Sequence, residues 1–297
     1  MPSYKSSTSR HPLDITVHLS RQSLYPTAYG RWSDIWKCTL KQDSQSYEVA
    51  VQSIRSYDLD DHNIRQKNKK LGQELEVRTR LAHENIVPLL GVATGFGRFT
   101  ALVYPWMGNS TLTSYLQRDR ERLSLRDRLE LLRGVVAGLR YLYSCSISNG
   151  DLTGSNILVS ASGRAQLSVS NSKIIMELLG TSYSPVNEAI RWAAPETLTT
   201  HDDNSSAWVT NEQRVMYSFG SIILQLFSGE VPYADLQCDL EVMLALSTGV
   251  KPSRPQTPWM TDRIWAFIQR CWTTVELGAK RPSAEEALNF IEELSLL

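Results

Sequence analysis

At 297 residues the chain is long enough for one large domain or two small ones with a substantial core. Its 42% hydrophobic and 21% charged residues fit an ordinary globular protein. The 31 basic side chains balance 31 acidic ones, which removes the electrostatic case for nucleic acid or an anionic membrane as partner, and the longest apolar runs are too short to span a bilayer.

Residues 1–13 are read as a flexible tail. The first dozen are Ser-rich and basic but have no apolar h-region, so the expected compartment is cytoplasm or nucleus. Cys38, Cys145, Cys238 and Cys271 are scattered, with no C-x-x-C pair, and read as buried thiols in a reducing compartment. Short β-type runs follow at 15–19, 35–40 and 47–51, then a polar connector at 56–63 and a helical pattern over 64–81. After His83-Glu84-Asn85-Ile86-Val87-Pro88 come apolar runs at 89–92 and 100–103, and Pro105 through Asn109 looks like a hinge. Ser124-Leu125-Arg126-Asp127 has the form of a capping box. Behind it Leu125, Leu129, Leu132, Val136, Leu139 and Tyr143 step by four and three, as one buried helical face requires. Residues 199–211 read as a surface loop, and 215–227, apolar nearly all round, as a central buried helix. No internal repeat is visible. Strands gathered before helices indicate an α+β fold.

The stretch Asn149-Gly150-Asp151-Leu152-Thr153-Gly154-Ser155-Asn156 carries an acid and, five residues later, an amide. Arg191-Trp192-Ala193-Ala194-Pro195-Glu196, Tyr217-Ser218-Phe219-Gly220, Cys271-Trp272 and Lys280-Arg281-Pro282-Ser283 follow in order. With His83-Glu84-Asn85-Ile86 before them, these landmarks make residues 14–297 resemble the protein kinase superfamily. The resemblance is closest to the tyrosine-kinase-like group in its fungal form. It implies a bilobal fold: a β-rich N-lobe with one main helix (14–104), a hinge (105–109) and a mostly α-helical C-lobe (110–297). It also implies a structural ion pair between Glu196 and Arg281.

Slot by slot, the resemblance exposes losses. In the glycine-rich frame only the middle glycine remains, as Gly30; Ala28 and Ser33 replace the outer two, and each Cβ narrows the approach of phosphate. Where the family places a phosphate-pairing Lys, the strand ends Val49-Ala50-Val51-Gln52, and a neutral amide replaces a charge-assisted bond worth about 1.5–3 kcal/mol. With-no-lysine kinases supply the charge from the third glycine position, but that position is Ser33. Lys37 is near in sequence, with a direction set by strand register. Glu74 fits the helix Glu that the missing Lys would meet, and Arg78, four residues on, is a candidate ion partner or one half of a solvated pair. The metal-binding Asp slot is Val169, flanked by Ser168 and Ser170. Asp151 and Asn156 then make a poor magnesium site, since magnesium wants carboxylate oxygens besides phosphates. The catalytic-loop His and Lys slots are Asn149 and Thr153, the apolar stack that joins the family's lobes would draw on Arg78, Ser170 and Asn149, and the Asp that anchors that His is matched by Val215.

The adenine side is better kept. Ile35, Ala50 and Leu158 hold small or aliphatic groups, Tyr104 is the gatekeeper, Pro105 offers a carbonyl and Met107 a backbone N–H. Asp151 is a vestigial base that loop hydrogen bonds explain as well as catalysis does. With Gly150 where many kinases carry Arg, a phosphate on Thr181 or Tyr183 would lack its guanidinium partner. One lost electrostatic group at a transferring centre costs about 10²–10³ in rate, and several are gone. The expected function is therefore a pseudokinase acting as signalling scaffold or allosteric regulator. Its partners would be proteins, an active kinase among the candidates. ATP is expected to bind weakly at most and magnesium is not expected. The alternatives are a weakly active ATP-dependent Ser/Thr or Tyr kinase and a metal-independent nucleotide sensor.

Overall fold

The computed structural model describes residues 12–30, 32–56, 60–147, 152–169, 172–180, 188–198, 210–275 and 279–296, with backbone alone at 172–174 and 188. In chain order the elements begin with β1 (Leu19–Arg21), β2 (Ala28–Tyr29), β3 (Ser33–Gln42), β4 (Gln45–Ile54), α1 (Asp61–Arg78), β5 (Gly91–Ala93) and β6 (Ala101–Pro105). They continue with α2 (Leu112–Asp119), α3 (Leu125–Ser144), β7 (Ile157–Val159), β8 (Ala165–Leu167), α4 (Ser172–Leu179), α5 (Asn211–Ser228), α6 (Asp239–Ser247), α7 (Asp262–Cys271) and α8 (Ala284–Ser295). The described residues fall into two compact units: Met1–Met107 with Asn171–Tyr183, and Gly108–Ser170 with Ser184–Leu297.

The first unit is a mostly antiparallel sheet in the order β1-β3-β4-β6-β5, with β2 paired to β3. β3 and β4 are joined by Asp43 and Ser44, both at positive φ (48° and 64°), a two-residue connection whose twist matches the strands. The strand expected from Ile15 starts only at Leu19. Asp14 Oδ1 accepts from the Thr16 N–H at 2.9 Å and its hydroxyl at 2.6 Å, which bends 16–18 into a 3₁₀ turn. α1 starts three residues before the expected Ile64, because the Asp60 carboxylate caps it by accepting from His62 N–H.

Each face of the sheet is buried against a different core. On one side Cys38, Leu40, Val49, Val51, Ala101 and Val103 pack with Ile15 and Leu90. On the other, Ile54 and Leu102 pack with Leu71 and Leu75 of α1 and with Ile175 and Leu178 of α4. α4 is thus part of this unit's core although it follows β8 in the chain.

In the second unit every residue of α5 from Val215 to Phe227 is buried, as its nearly all-round apolarity leads one to expect. Thr210 caps its start, and Gly229 ends it in the left-handed region (φ 79°), donating to Gln225 C=O at 2.8 Å. The capping box opens α3: Asp127 N–H donates to Ser124 Oγ at 3.2 Å and Ser124 N–H to Asp127 Oδ2 at 2.9 Å. β7 and β8 form a separate two-stranded sheet. Arg281, with 1% of its side chain exposed, pairs with Glu196. Among the described residues no helix is long and apolar enough to cross a membrane.

Candidate functional site

Strand register assembles the first part of the site. Ile35 lies opposite Gln52, Lys37 opposite Ala50, and Ala50 opposite Tyr104. Paired residues point to the same face, so Ile35, Ala50 and Gln52 come together with Lys37 and Tyr104 beside them. Lys37 is therefore on the face of the lost lysine, but two residues along from Ile35, Gln52's partner. There it forms an ion pair with Glu48 at 2.5 Å and lies 5.0 Å from the centre of the Trp106 ring. Its hydrogen bond holds the Glu48 carboxyl below the usual range. Lys37 thus has partners of its own at the Pro105 end of the face.

At the opposite end the polar groups close on one another. Gln52 Nε2 donates to Ser33 Oγ at 3.0 Å, so the residue in the lysine slot and the one in the third glycine slot are hydrogen-bonded. Gly30 N–H donates to Ser33 C=O at 2.8 Å, turning back into its own hairpin the donor a phosphate loop would present. Arg55, which follows β4, fixes this hairpin. Its Nε binds Asp34 Oδ1 at 2.8 Å, while Nη2 reaches Gly30 C=O at 2.8 Å and Ser33 C=O at 3.3 Å. Asp34 neutralises its charge. The sequence reading did not single out Arg55; its role depends on where the β2–β3 hairpin folds.

Glu74 is exposed on α1 and, among the described residues, has no hydrogen bond or ion pair. The structure does not join it to Gln52. Arg78 is half-buried, and burial lowers its pKa while Tyr104 and then Glu74 raise it. Pro105 ends β6 opposite Val49. Met107 is buried, and its backbone N–H has no partner among the described residues.

In the second unit Asp151 lies outside the described residues, as do Asn149, Gly150 and Ser170; Thr181 and Tyr183, which follow α4, lie outside them too. The loop that follows is described from Leu152, which is 1% exposed. Thr153, in the catalytic-loop lysine slot, is 4% exposed. Its hydroxyl accepts the Asn156 N–H at 3.2 Å and its carbonyl accepts the same N–H at 3.1 Å. Asn156 C=O in turn accepts from Ser168 N–H at 2.9 Å. Gly154 permits close packing here: a Cβ would lie 2.4 Å from Thr113 Oγ1 and 2.5 Å from Gln225 Oε1. Gln225 joins the group by donating to Thr113 Oγ1 at 3.0 Å and accepting from Trp192 Nε1 at 3.1 Å. Leu158 is half-buried on β7, opposite Gln166.

The slot in which the family places a metal-binding carboxylate holds none, and Asp151 lies outside the described residues. Position 169 is a valine, and among the described residues no three His, Cys, Asp or Glu side chains come together as a metal site. Sequence reasoning also missed α4. The available signal was the spacing of Ile175, Leu178 and Leu179, short but helical.

The sequence matches the family described as protein tyrosine and serine/threonine kinase over residues 26–291. Inactive tyrosine-protein kinase 7 of Homo sapiens is 26% identical over 299 residues, which covers 95% of this chain and 26% of that protein. Ephrin type-B receptor 5 of Gallus gallus is 25% identical, covering 84% of this chain and 24% of its own length. Mitogen-activated protein kinase kinase kinase 1 of Arabidopsis thaliana is 27% identical, covering 74% and 34%. The chain thus spans between 24% and 34% of the length of these curated relatives.

Proposed function

The chain belongs to the protein tyrosine and serine/threonine kinase family, and from that membership we propose that it is an impaired member, a pseudokinase that serves as signalling scaffold or allosteric regulator. The observation that carries this reading is the hydrogen bond from Gln52 to Ser33 within the hairpin closed by Arg55. Phosphoryl transfer is mostly positioning and positive charge around the phosphates. In this domain the lysine slot holds an amide, its polar end is satisfied by a neighbour, and the nearby guanidinium is neutralised by Asp34. Removing one such group typically costs about 10²–10³ in rate. The relative named an inactive tyrosine-protein kinase, similar along 95% of this chain, supports the same reading.

Under this proposal Gly30, Ile35, Ala50, Pro105, Met107 and Leu158 are the remains of a nucleotide site that binds ATP weakly at most. Gln52 and Glu74 no longer cooperate, and Asp151 and Asn156 serve the loop. The working partner is another protein, an active kinase among the candidates. A second reading, a nucleotide sensor that needs no metal, is favoured by the Met107 N–H, which has no partner among the described residues and would be free to donate to a base.

Thermal unfolding with ATP, with and without magnesium, tests both. The pseudokinase reading expects no gain that depends on magnesium, and the sensor reading expects a gain indifferent to it. Radiolabelled phosphate transfer that vanishes in Asp151→Asn but persists in a surface control would overturn both.

A further inference from the structure

The side of α1 turned away from its core breaks two local rules, and nothing in the first unit requires either break. The buried line of the helix is Ile64, Leu71 and Leu75. Beside that line His62, Arg65, Lys69, Gly72 and Glu76 step by three, four, three and four, so they form one seam along the helix. Between Asp61 and Glu74 the sequence has no acid but carries Arg65, Lys67, Lys69 and Lys70. The acids that approach this stretch are engaged elsewhere on it: Glu177 of α4 pairs with Lys70, and Asp61 with Arg98. Arg65 and Lys69 are exposed and have no hydrogen bond or ion pair among the described residues. Two like charges four residues apart weaken a helix rather than support it.

The second break is Gly72, in the interior of an 18-residue helix, where glycine loses more backbone freedom than any other residue. Other glycines of this chain are explained by their neighbours. A Cβ at Gly154 or Gly220 would lie 2.4 or 2.6 Å from a packed side chain. At Gly72 a Cβ would meet nothing within 4 Å, and the backbone is not in the left-handed region. The fold itself gives no reason for glycine here. The seam supplies one, because a bare stretch of helix lets a second backbone come close.

We propose that this seam docks an acidic helix of a protein partner, with carboxylates on Arg65 and Lys69 and its backbone crossing α1 at Gly72. The two unpaired cations select the charge, and the alternating spacing is what the side chains of a second helix follow. The seam changes sign at Glu76, one turn past Gly72. A nucleic-acid strand or an anionic bilayer, negative along its whole length, therefore fits it less well than a protein segment with its acids at one end. The site is independent of catalysis and does not rest on the pseudokinase reading.

The test is fluorescence anisotropy of Ala-based helical peptides of about 20 residues, carrying Glu, Gln or Lys along one half of one face, titrated with the full chain. The proposal expects the Glu peptide to bind best and its binding to fall with salt. Charge reversal at both cations (Arg65→Glu with Lys69→Glu) should weaken the Glu peptide about tenfold and turn the preference to the Lys peptide. Gly72→Leu should raise the melting midpoint by about 1–3 °C, since leucine is the better helix former. The same substitution should weaken the Glu peptide about fivefold, which a glycine without a role would not do. Equal binding of the three peptides, or a preference for Glu that neither variant alters, overturns the proposal. So does binding of phosphatidylserine vesicles or of poly(U) RNA in place of the Glu peptide.

Discussion

Two polar clusters, one in each unit, occupy positions where the kinase family uses charge, and they differ in what they keep. In the second unit Arg281 is buried and fully engaged. Its Nη1 and Nη2 bind the two carboxylate oxygens of Glu196 at 2.5 and 2.9 Å, and Nε and Nη1 reach the carbonyls of Thr273 and Gln213, both at 2.9 Å. Its guanidinium carbon also lies 5.0 Å from the centre of the Tyr217 ring. In the first unit the phosphate-side lysine has become Gln52, and one neutral bond to Ser33 replaces the ion pair. The domain therefore retains the cation that holds its architecture and lacks the one that would hold a substrate. Structure and chemistry are separable in this fold, and under the pseudokinase proposal it is the structure that was kept.

The sharpest way to break the comparison is Glu196→Ala, which leaves the buried Arg281 uncompensated and should cost about 3–5 kcal/mol in denaturant unfolding. A loss under about 1 kcal/mol would mean that the pair is dispensable and the contrast empty. Next is Leu178→Ala, at a side chain 1% exposed in the core under the sheet. It should cost about 2–4 kcal/mol if α4 is a permanent part of the first unit, and little if the helix is only resting there.

A smaller effect is expected from Gln52→Lys. Losing the bond to Ser33 should change stability by about 0.5–1.5 kcal/mol. The variant should still show no magnesium-dependent stabilisation by ATP, because position 169 remains Val. If that one substitution restores it, the site is less dismantled than its hydrogen bonds indicate.

The mildest probe uses one buried thiol in each unit. Burial raises the Cys38 pKa to about 11 against an opposing pull from Arg21, and burial also raises that of Cys271. Both stay protonated, hence unreactive, well above neutral pH, and become reactive only as pH rises toward those values or the unit opens. Cys145 and Cys238 are exposed, against the expectation of four buried thiols, so iodoacetamide at pH 8 should label them first. Mass spectrometry finding Cys38 labelled as fast as Cys145 would show that the first unit opens readily.

Much of this was legible beforehand, for identifiable reasons. The Ser124–Asp127 box, the nearly all-apolar 215–227 helix and the Glu196–Arg281 pair follow from local chemistry or from motif order, which a single sequence states openly. What was hidden depends on pairing. Lys37 could not be assigned to a face because a slip of one residue reverses every side chain, and only the register with Ala50 decides it. The Gln52–Ser33 bond and the Arg55 clamp needed the hairpin first. α4 was missed because it is only 8 residues long and its partners, Leu71 and Leu75, come about a hundred residues earlier. The expected strand at Ile15 was displaced by one carboxylate, Asp14, bonding two residues ahead.

If the domain is a pseudokinase as proposed, Thr153 would make the chemical loss hard to reverse. Its hydroxyl has become a strut for Asn156 in a site 4% exposed, beside a glycine with no room for a Cβ. A lysine put back at 153 would remove the strut and have to thread an ammonium out through packed atoms. Any route back to catalysis would therefore have to rebuild this loop before it could gain from the restored charge.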